Sequence, residues 1–518
     1  MLTEEQTAII KSTGNIKINA VAGSGKTTTL MEYAIARPGQ RILYLAFNRT
    51  VKLEAEKKFA EKKVPNVRVE TAHSLAFSGI VRGTNYTVKK DSYKTSEIVE
   101  ILGLSQFTGR HTEYILATHI YGLVNYFCNS DKAKVQELDY AEVVSDQAVR
   151  QLVIKYREEI LQQARLFLDK MNKGEIPILH DFYLKKFQLS RPVLPFDTIL
   201  FDEGQDASAA MLDIFLSQKA VKVIVGDSHQ QIYGWRYAIN SLDKVDYPVF
   251  ELSHSFRFDQ DIAQLARKAV SWKRHLHLPS AINIKGVGKR GKTKTRAVIA
   301  RTNTGLLVKA IELLIEKKEI GSVYFEGRIE NYTYANDGAS IYDVLNLYND
   351  EKSWIRDKMI GSMKDMAELE EYIENTGDAQ LRMLVEVVKE YGKKIPGYIK
   401  QLKESHLDHN DKDKADMIFS TVHRCKGMEY DEVTLANDFI TEEKIIEMME
   451  GKDPVNVARL SEDINLLYVA VTRTKGDLYV PEHIFPDAEG NNIRTTKPSK
   501  VTKGTSYMAA RMRKKLKG

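Results

Sequence analysis

Cysteine is nearly absent from this chain, with only Cys128 and Cys425 among 518 residues. Two thiols cannot build a four-cysteine zinc site or hold a four-cysteine iron–sulfur cluster. Their scarcity suits a reducing compartment. No run of about 18 apolar residues occurs, so no membrane-spanning helix and no membrane partner are expected. The start, MLTEEQTAII, lacks the basic residues and apolar stretch of a secretory signal. Internal repeats and low-complexity segments are missing too. These absences point to a cytoplasmic protein, nucleoid-associated if its host is bacterial.

What is present is ordinary for a globular protein: 43% hydrophobic and 28% charged residues. The length exceeds what one core organises, and three or four domains are expected. Net charge is +6, but nine Lys or Arg and no acid fall between Arg494 and Gly518, leaving 6 − 9 = −3 for the rest. The body is slightly acidic and the excess sits in a basic tail, either a solvated end or a contact for nucleic acid or a partner.

Short apolar runs alternate with longer helical patterns. Runs at Ile16–Ala20, Ile42–Phe47, Val67–Thr71, Thr198–Asp202 and Val221–Gly226 read as strands. So do Ala297–Arg301, Val323–Glu326, Met417–Thr421 and Glu432–Ala436. Such runs fit the buried strands of parallel α/β sheets, whose ligands bind beyond the C-terminal strand ends. Two mainly helical stretches, about 83–190 and 331–414, read as insertions, with helices including Tyr114–Phe127, Val149–Met171, Met366–Ile373 and Leu381–Tyr391.

The sharpest local signal is Ala20-Val-Ala-Gly23-Ser24-Gly25-Lys26-Thr27-Thr28, a strand end running into a helix start. Small residues let backbone N–H groups close on phosphate oxygens, Lys26 reaches the β- and γ-phosphates, and Thr27 offers a hydroxyl to Mg²⁺. Ala20 stands where the general motif has glycine. A second signal is an apolar strand ending in Asp202-Glu203-Gly-Gln205-Asp206. Asp202 is suited to hold the metal and Glu203 to polarise an attacking water, the division of labour that phosphoryl transfer needs. The expected cofactors are ATP and Mg²⁺.

Taken in order, the motifs from Leu2 to Arg473 resemble the UvrD/Rep/PcrA-like branch of superfamily 1 DNA helicases, and within it the helicase part of F-box DNA helicases and compact bacterial or phage relatives. Leu2-Thr-Glu-Glu-Gln6 resembles the Q motif, with Gln6 on the adenine edge. Ala46-Phe47-Asn48 and Thr71-Ala-His73-Ser74 resemble the single-strand contacts Ia and Ib. Val225-Gly-Asp227-Ser-His-Gln230-Gln-Ile-Tyr233-Gly-Trp235-Arg236 resembles motif III. There the resemblance implies that Gln230 senses the γ-phosphate and Trp235 stacks on a base, with Tyr233 and Arg236 beside it. Such stacking is worth about 1–3 kcal/mol per base whatever the sequence. Leu252-Ser-His-Ser-Phe256-Arg257 resembles motif IV, with Phe256 on adenine and Arg257 at the γ-phosphate. Thr421-Val-His423-Arg-Cys-Lys426-Gly427-Met-Glu429 resembles motif V, with Thr421 and His423 toward the DNA backbone and Glu429 toward the ribose. Leu467-Tyr468-Val-Ala-Val-Thr472-Arg473 resembles motif VI, with Arg473 a second arginine finger.

The resemblance implies two RecA-like P-loop NTPase domains, each with a mainly helical insertion. Residues 1–82 and 191–250 would form the first, with the ATP site, and 83–190 its insertion. Residues 251–330 and 415–485 would form the second, with 331–414 a short insertion and 486–518 a basic tail. ATP would sit between these domains, and its hydrolysis would drive 3′-to-5′ movement on single-stranded DNA and unwinding at single-strand/duplex junctions. A recombination or replication protein is a possible partner, and roles in repair or recombination follow from the family. Two alternatives stay open: a translocase that mainly strips recombinase or other proteins from single strands, and a nucleotide-gated DNA-binding subunit of a larger complex. RNA is not separable from DNA by stacking residues alone. No F-box and no nuclease domain of the RecB type is expected. The His406–Asp413 stretch lacks the spacing of a metal loop, and nothing near Cys425 marks it as a nucleophile.

Overall fold

The computed structural model describes residues 2–107, 109, 111–327, 329–334, 338–451 and 455–497. The chain divides into two units, one of Met1–Phe256 with Asn283–Lys285, the other of Arg257–Ile282 and the chain from Gly286 onward. In the first, β1 (Ile16–Ala20), β2 (Ile42–Ala46), β3 (Val67–Thr71), β4 (Thr198–Phe201), β5 (Val221–Gly226) and β6 (Val249–Leu252) form one sheet in the order β3-β2-β4-β5-β1-β6. Every pairing is parallel.

Side chains alternate across a pleated strand, so a sheet covered on both faces needs apolar residues at every position. Ile42, Tyr44, Ala46, Leu200, Val223 and Val225 enter one core with Leu30 and Phe59, from the helices Lys26–Ile35 and Arg49–Glu61. Their neighbours Leu43, Leu45, Ile199, Phe201 and Ile224 enter the other. That second core continues into the helices between β3 and β4, through Ile120 and Val124 of Thr112–Asn129, Phe167 of Arg157–Lys173 and Leu184 of His180–Leu189. The helical segment therefore shares its apolar interior with the sheet. The helix expected over Val149–Met171 is two, Gln147–Lys155 and Arg157–Lys173, because Tyr156 leaves helical geometry at φ −104° and ψ 22°.

In the second unit β7 (Arg296–Ala300), β8 (Val323–Phe325), β9 (Met417–Thr421), β10 (Tyr430–Leu435), β11 (Thr474–Pro481) and β12 (Ile493–Thr496) form a parallel sheet in the order β8-β9-β7-β10-β11-β12. The helices Ile341–Tyr348, Met366–Thr376, Ala379–Tyr391 and Ile395–Glu404 lie between β8 and β9 in sequence. β12 falls in the stretch read as a basic tail, and Ile493 is buried beside Leu478. Residues 498–518 of that stretch lie outside the described residues. The His406–Asp413 stretch packs on β8: His406 Nε2 accepts the Phe325 N–H at 3.1 Å and His409 Nδ1 meets the Tyr324 hydroxyl at 2.8 Å. Among the described residues no helix is long and apolar enough to cross a membrane.

One lysine is buried in the helical part of the first unit. Lys185 is 2% exposed, and its Nζ donates to the Ser130 and Lys132 carbonyls at 2.8 and 2.5 Å. Burial pulls its pKa down to about 8, whereas a lysine in an unfolded chain titrates near about 10.4. Between these values the unfolded chain binds more protons, so this site's contribution to stability rises with pH. Melting temperatures of the natural protein and Lys185→Met should therefore shift in favour of the natural protein between about pH 8 and about pH 10. A pH-independent gap would contradict this.

Candidate functional site

The loop after β1 turns through Gly23 and Gly25, at φ 73° and 79°, into the helix Lys26–Ile35. Gly25 caps that helix without a side-chain bond, so the first-turn N–H groups face the loop as anion donors. The Ser24 hydroxyl is buried and makes no protein hydrogen bond. A buried hydroxyl of this kind is costly unless a ligand satisfies it. Loop, open helix end and orphaned hydroxyl together suit a phosphate.

Gln6 reaches the same loop. Its Oε1 accepts the Thr3 N–H at 3.0 Å in a capping box, and its Nε2 donates to the Thr29 hydroxyl at 3.1 Å. A Cβ on Gly25 would stand 3.2 Å from that Nε2, a tight approach, and the left-handed backbone there favours glycine. Phe256 joins from the other side: its N–H donates to the Gly23 carbonyl at 2.9 Å, and its ring remains 48% exposed. An exposed aromatic face beside a phosphate loop fits a nucleotide base.

The acidic end of β4 meets the lysine. Lys26 Nζ lies 2.7 Å from Glu203 Oε1, both side chains being largely buried. Burial works against the ammonium, but Glu203, Asp202 and Asp227 together raise its pKa above the ordinary value. Asp202 is driven the other way: burial, then the Glu203 charge, raises its carboxyl. Its oxygens accept the Glu203 N–H at 2.9 Å and the Tyr44 hydroxyl. The Tyr44 hydroxyl is also hydrogen-bonded with Thr27. Glu203 holds a left-handed backbone at φ 55°, a conformation that non-glycine residues keep where the surroundings enforce it. Among the described residues no group of three or more His, Cys, Asp or Glu could hold a metal alone. Mg²⁺ is usually held by one or two carboxylates together with substrate phosphates and water, and the Asp202–Thr27 pair fits that mode.

An amide chain extends this cluster. Gln205 Nε2 donates to Glu203 Oε2 at 2.5 Å, and Gln205 Oε1 accepts the Asp227 N–H at 3.1 Å. Asp227 Oδ2 accepts Gln230 Nε2 at 2.8 Å. Gly226 makes room, since a Cβ there would stand 2.3 Å from Gln205 Oε1. Beyond Gln230, Phe47 and Tyr233 stack at 5.5 Å, and the Arg236 guanidinium lies 4.9 Å from the centroid of Trp235, which is 58% exposed. Trp235 is thus a surface aromatic and not a core one.

The other expected strand contacts have local work in the fold. Asn48 caps the helix Arg49–Glu61, accepting the Val51 N–H at 2.9 Å. Thr71 and Ser74 form a capping box, and His73 Nε2 pairs with Asp181 at 2.9 Å. In the second unit Thr421 opens the short helix Val422–Cys425 that carries His423. Arg257 donates to Glu429 at 2.8 Å and to the Thr472 carbonyl at 2.8 Å. Burial opposes the Glu429 charge, but Arg257 outweighs it and lowers the carboxyl's pKa. Arg473 is buried, donating to the Val469 carbonyl at 2.9 Å; burial and the Arg257 charge pull its pKa to about 10. Arg257 is bonded to Glu429, and Arg473 adds positive charge nearby. Sequence reasoning assigned no role to Tyr44, Gln205 or Asp227. A phenol within an aliphatic strand run was the one available signal for Tyr44; the amide links of Gln205 arise only from the folded loops.

Residues 1–244 match the UvrD/REP helicase N-terminal domain family. The chain is similar to F-box DNA helicase 1 of Gallus gallus, 29% identical over 510 residues, covering 93% of this chain and 49% of that protein. It is 27% identical over 530 residues to F-box DNA helicase protein 1 of Schizosaccharomyces pombe, with 93% and 58% covered. To the ATP-dependent DNA helicase PcrA of Leuconostoc citreum it is 25% identical over 303 residues, with 52% and 39% covered. The chain spans about half the length of these F-box relatives. With the two parallel sheets, these matches make the fold that of two RecA-like domains.

Ser24→Ala removes the orphaned hydroxyl. It should leave the nucleotide-free melting temperature unchanged or raised, and reduce the rise that ADP produces. Thermal unfolding with and without ADP checks both; a lowered nucleotide-free value with a full ADP response would contradict the assignment.

Proposed function

We propose that this chain, whose first 244 residues match the UvrD/REP helicase N-terminal domain family, is a DNA-dependent ATPase that moves along single-stranded DNA and opens duplex at junctions, in the 3′-to-5′ direction. The observation that carries the reading is the unbroken connection from Lys26 through Glu203, Gln205, Asp227 and Gln230 toward the exposed Trp235. One set of polar contacts leads from a phosphate loop to Gln230, five residues before the exposed Trp235.

Mg²⁺·ATP supplies the reacting phosphoryl group. Gly23, Ser24, Gly25, Thr27 and Thr28 cradle its phosphates with backbone N–H and hydroxyl groups. Lys26 neutralises phosphate charge, Thr27 and Asp202 hold the metal, and Glu203 takes the proton of the attacking water. Gln6 and Phe256 hold the base, and Gln230 senses the terminal phosphate. In the second unit Glu429 orients Arg257, and Arg257 and Arg473 stabilise developing charge. Arginines in this role contribute on the order of 10³–10⁵ in rate. Phe47, Asn48, Thr71, His73, Ser74, Tyr233, Trp235, Arg236, Thr421 and His423 form the strand-facing set.

A second reading is a translocase that chiefly clears proteins from single strands. The helical segment between β8 and β9 is shorter than the one between β3 and β4, which favours movement over sustained unwinding. Filament clearance without strand release from a 3′-tailed duplex would select this reading.

Glu203→Gln should keep ADP binding within about threefold while DNA-stimulated hydrolysis falls by about 10²–10⁴, the usual contribution of a positioned base. Lys26→Ala should lose both. Hydrolysis that single-stranded DNA does not stimulate, or that Glu203→Gln leaves intact, would refute the proposal.

A further inference from the structure

Tyr237 follows Trp235 and Arg236 and closes the turn Gly234–Arg236. Its φ is 59°, in the left-handed region that side-chain-bearing residues seldom adopt. Its N–H donates to the Gly234 carbonyl at 2.9 Å, and its side chain adds a second hold from outside the turn. The Tyr237 hydroxyl donates to the Gly122 carbonyl at 3.0 Å, and its ring lies 5.1 Å from that of Tyr126. Both partners belong to the helix Thr112–Asn129, in the helical segment between β3 and β4. The loop is pinned at its other end as well, where Gln230 donates to Asp227. Gln231 bridges the two ends by donating to the Ala238 carbonyl at 3.2 Å, and Ile239 N–H returns to the Ala207 carbonyl at 2.8 Å. Trp235 stands exposed between the two pins.

A loop fixed at one end only would absorb a displacement of Gln230 by rotating about its free end. The Tyr237 contacts fix it two residues beyond Trp235, nearer than the Ile239 bond to Ala207, and so leave fewer residues to absorb that displacement before it reaches Trp235. We propose that Tyr237 is a positioning residue that anchors the Trp235 loop to the helical segment, so that a change at Gln230 reaches the strand stacked on Trp235. This rests on the strand reading of Trp235 given above.

The test uses the full chain and an oligothymidine strand carrying a single 2-aminopurine, whose fluorescence falls when an aromatic ring stacks on it. Tyr237→Phe keeps the ring and removes only the hydroxyl. Tyr237→Gly removes both anchors while suiting the left-handed backbone. We expect Tyr237→Phe to raise the strand concentration for half-maximal ATPase stimulation about threefold to tenfold, the range one neutral hydrogen bond supplies. Tyr237→Gly should raise it further and weaken the quench at saturation. ADP affinity and strand-independent hydrolysis should stay unchanged in both, a separation that a loss of folding would not give. Normal half-saturation and full quench in both variants, beside a loss in Trp235→Ala, would overturn the anchor alone. No loss in Trp235→Ala would overturn the strand reading and the anchor with it.

Discussion

The buried ammonium of Lys26 is the contact on which the rest of the first unit's chemistry depends. Glu203 lies 2.7 Å from it, and Asp202 and Asp227 add further negative charge. Carboxylates so close together and so little hydrated repel one another, and without a cation one of them protonates. Burial first, and the Glu203 charge after it, hold the Asp202 pKa up even with Lys26 in place. The cluster thus carries more negative charge than one lysine balances, which is the electrostatic condition a divalent ion relieves. Tyr44 completes it by donating to the Asp202 carboxylate from within the strand core.

The parallel sheet is what brings these groups together. Every strand of a parallel sheet ends on the same side, so the loops that follow them gather there. Ala20 leads into the phosphate loop, Phe201 into Asp202 and Glu203, Gly226 into Asp227, and Ala46 into Phe47. The strands themselves can be buried throughout, as β2 and β4 are at every position, and from β2 the Tyr44 hydroxyl reaches the acidic cluster. Tyr44 apart, polar function and buried scaffold are separated along the chain, with the change falling near each strand's last residue.

That separation decides what could be read from sequence. β2, β4 and most of β5 announce themselves because sheets covered on both faces demand buried, mainly apolar runs, and β1 does so by the alternation of Ile16, Ile18 and Ala20 with Lys17 and Asn19. β6 escapes notice because it is an edge strand with Val249 and Glu251 exposed. β11 escapes it because it opens Thr-Lys-Gly-Asp and ends on Pro481, and β12 because Ile-Arg-Thr-Thr at an edge reads as tail. The phosphate loop and the acidic pair are legible since their chemistry fixes both residue type and local spacing. The Gln205 links are not, because an amide's partners are set by how two loops meet after folding. The same holds for the break at Tyr156, which periodicity on either side conceals.

Motif likeness also merges two demands that the structure separates. Asn48, Thr71 and Ser74 sit where strand contacts are expected, yet each satisfies a helix's first-turn N–H groups. Removing such a cap costs about 0.5–2 kcal/mol, enough to retain the residue without any ligand. The two roles are compatible for a physical reason. A cap fixes a helix N-terminus at the end of a strand, and a fixed N-terminus offers a favourable field to phosphate oxygens. Trp235 and Phe256 keep exposed aromatic faces, 58% and 48% of each residue, which gain little from folding. Tyr237 lies between these cases: its ring and hydroxyl serve the fold, and they do so by holding the backbone that presents Trp235. What distinguishes a site residue here is therefore less its place in a motif than whether the fold alone accounts for its geometry. The exposed rings of Trp235 and Phe256 are the places where burial explains least.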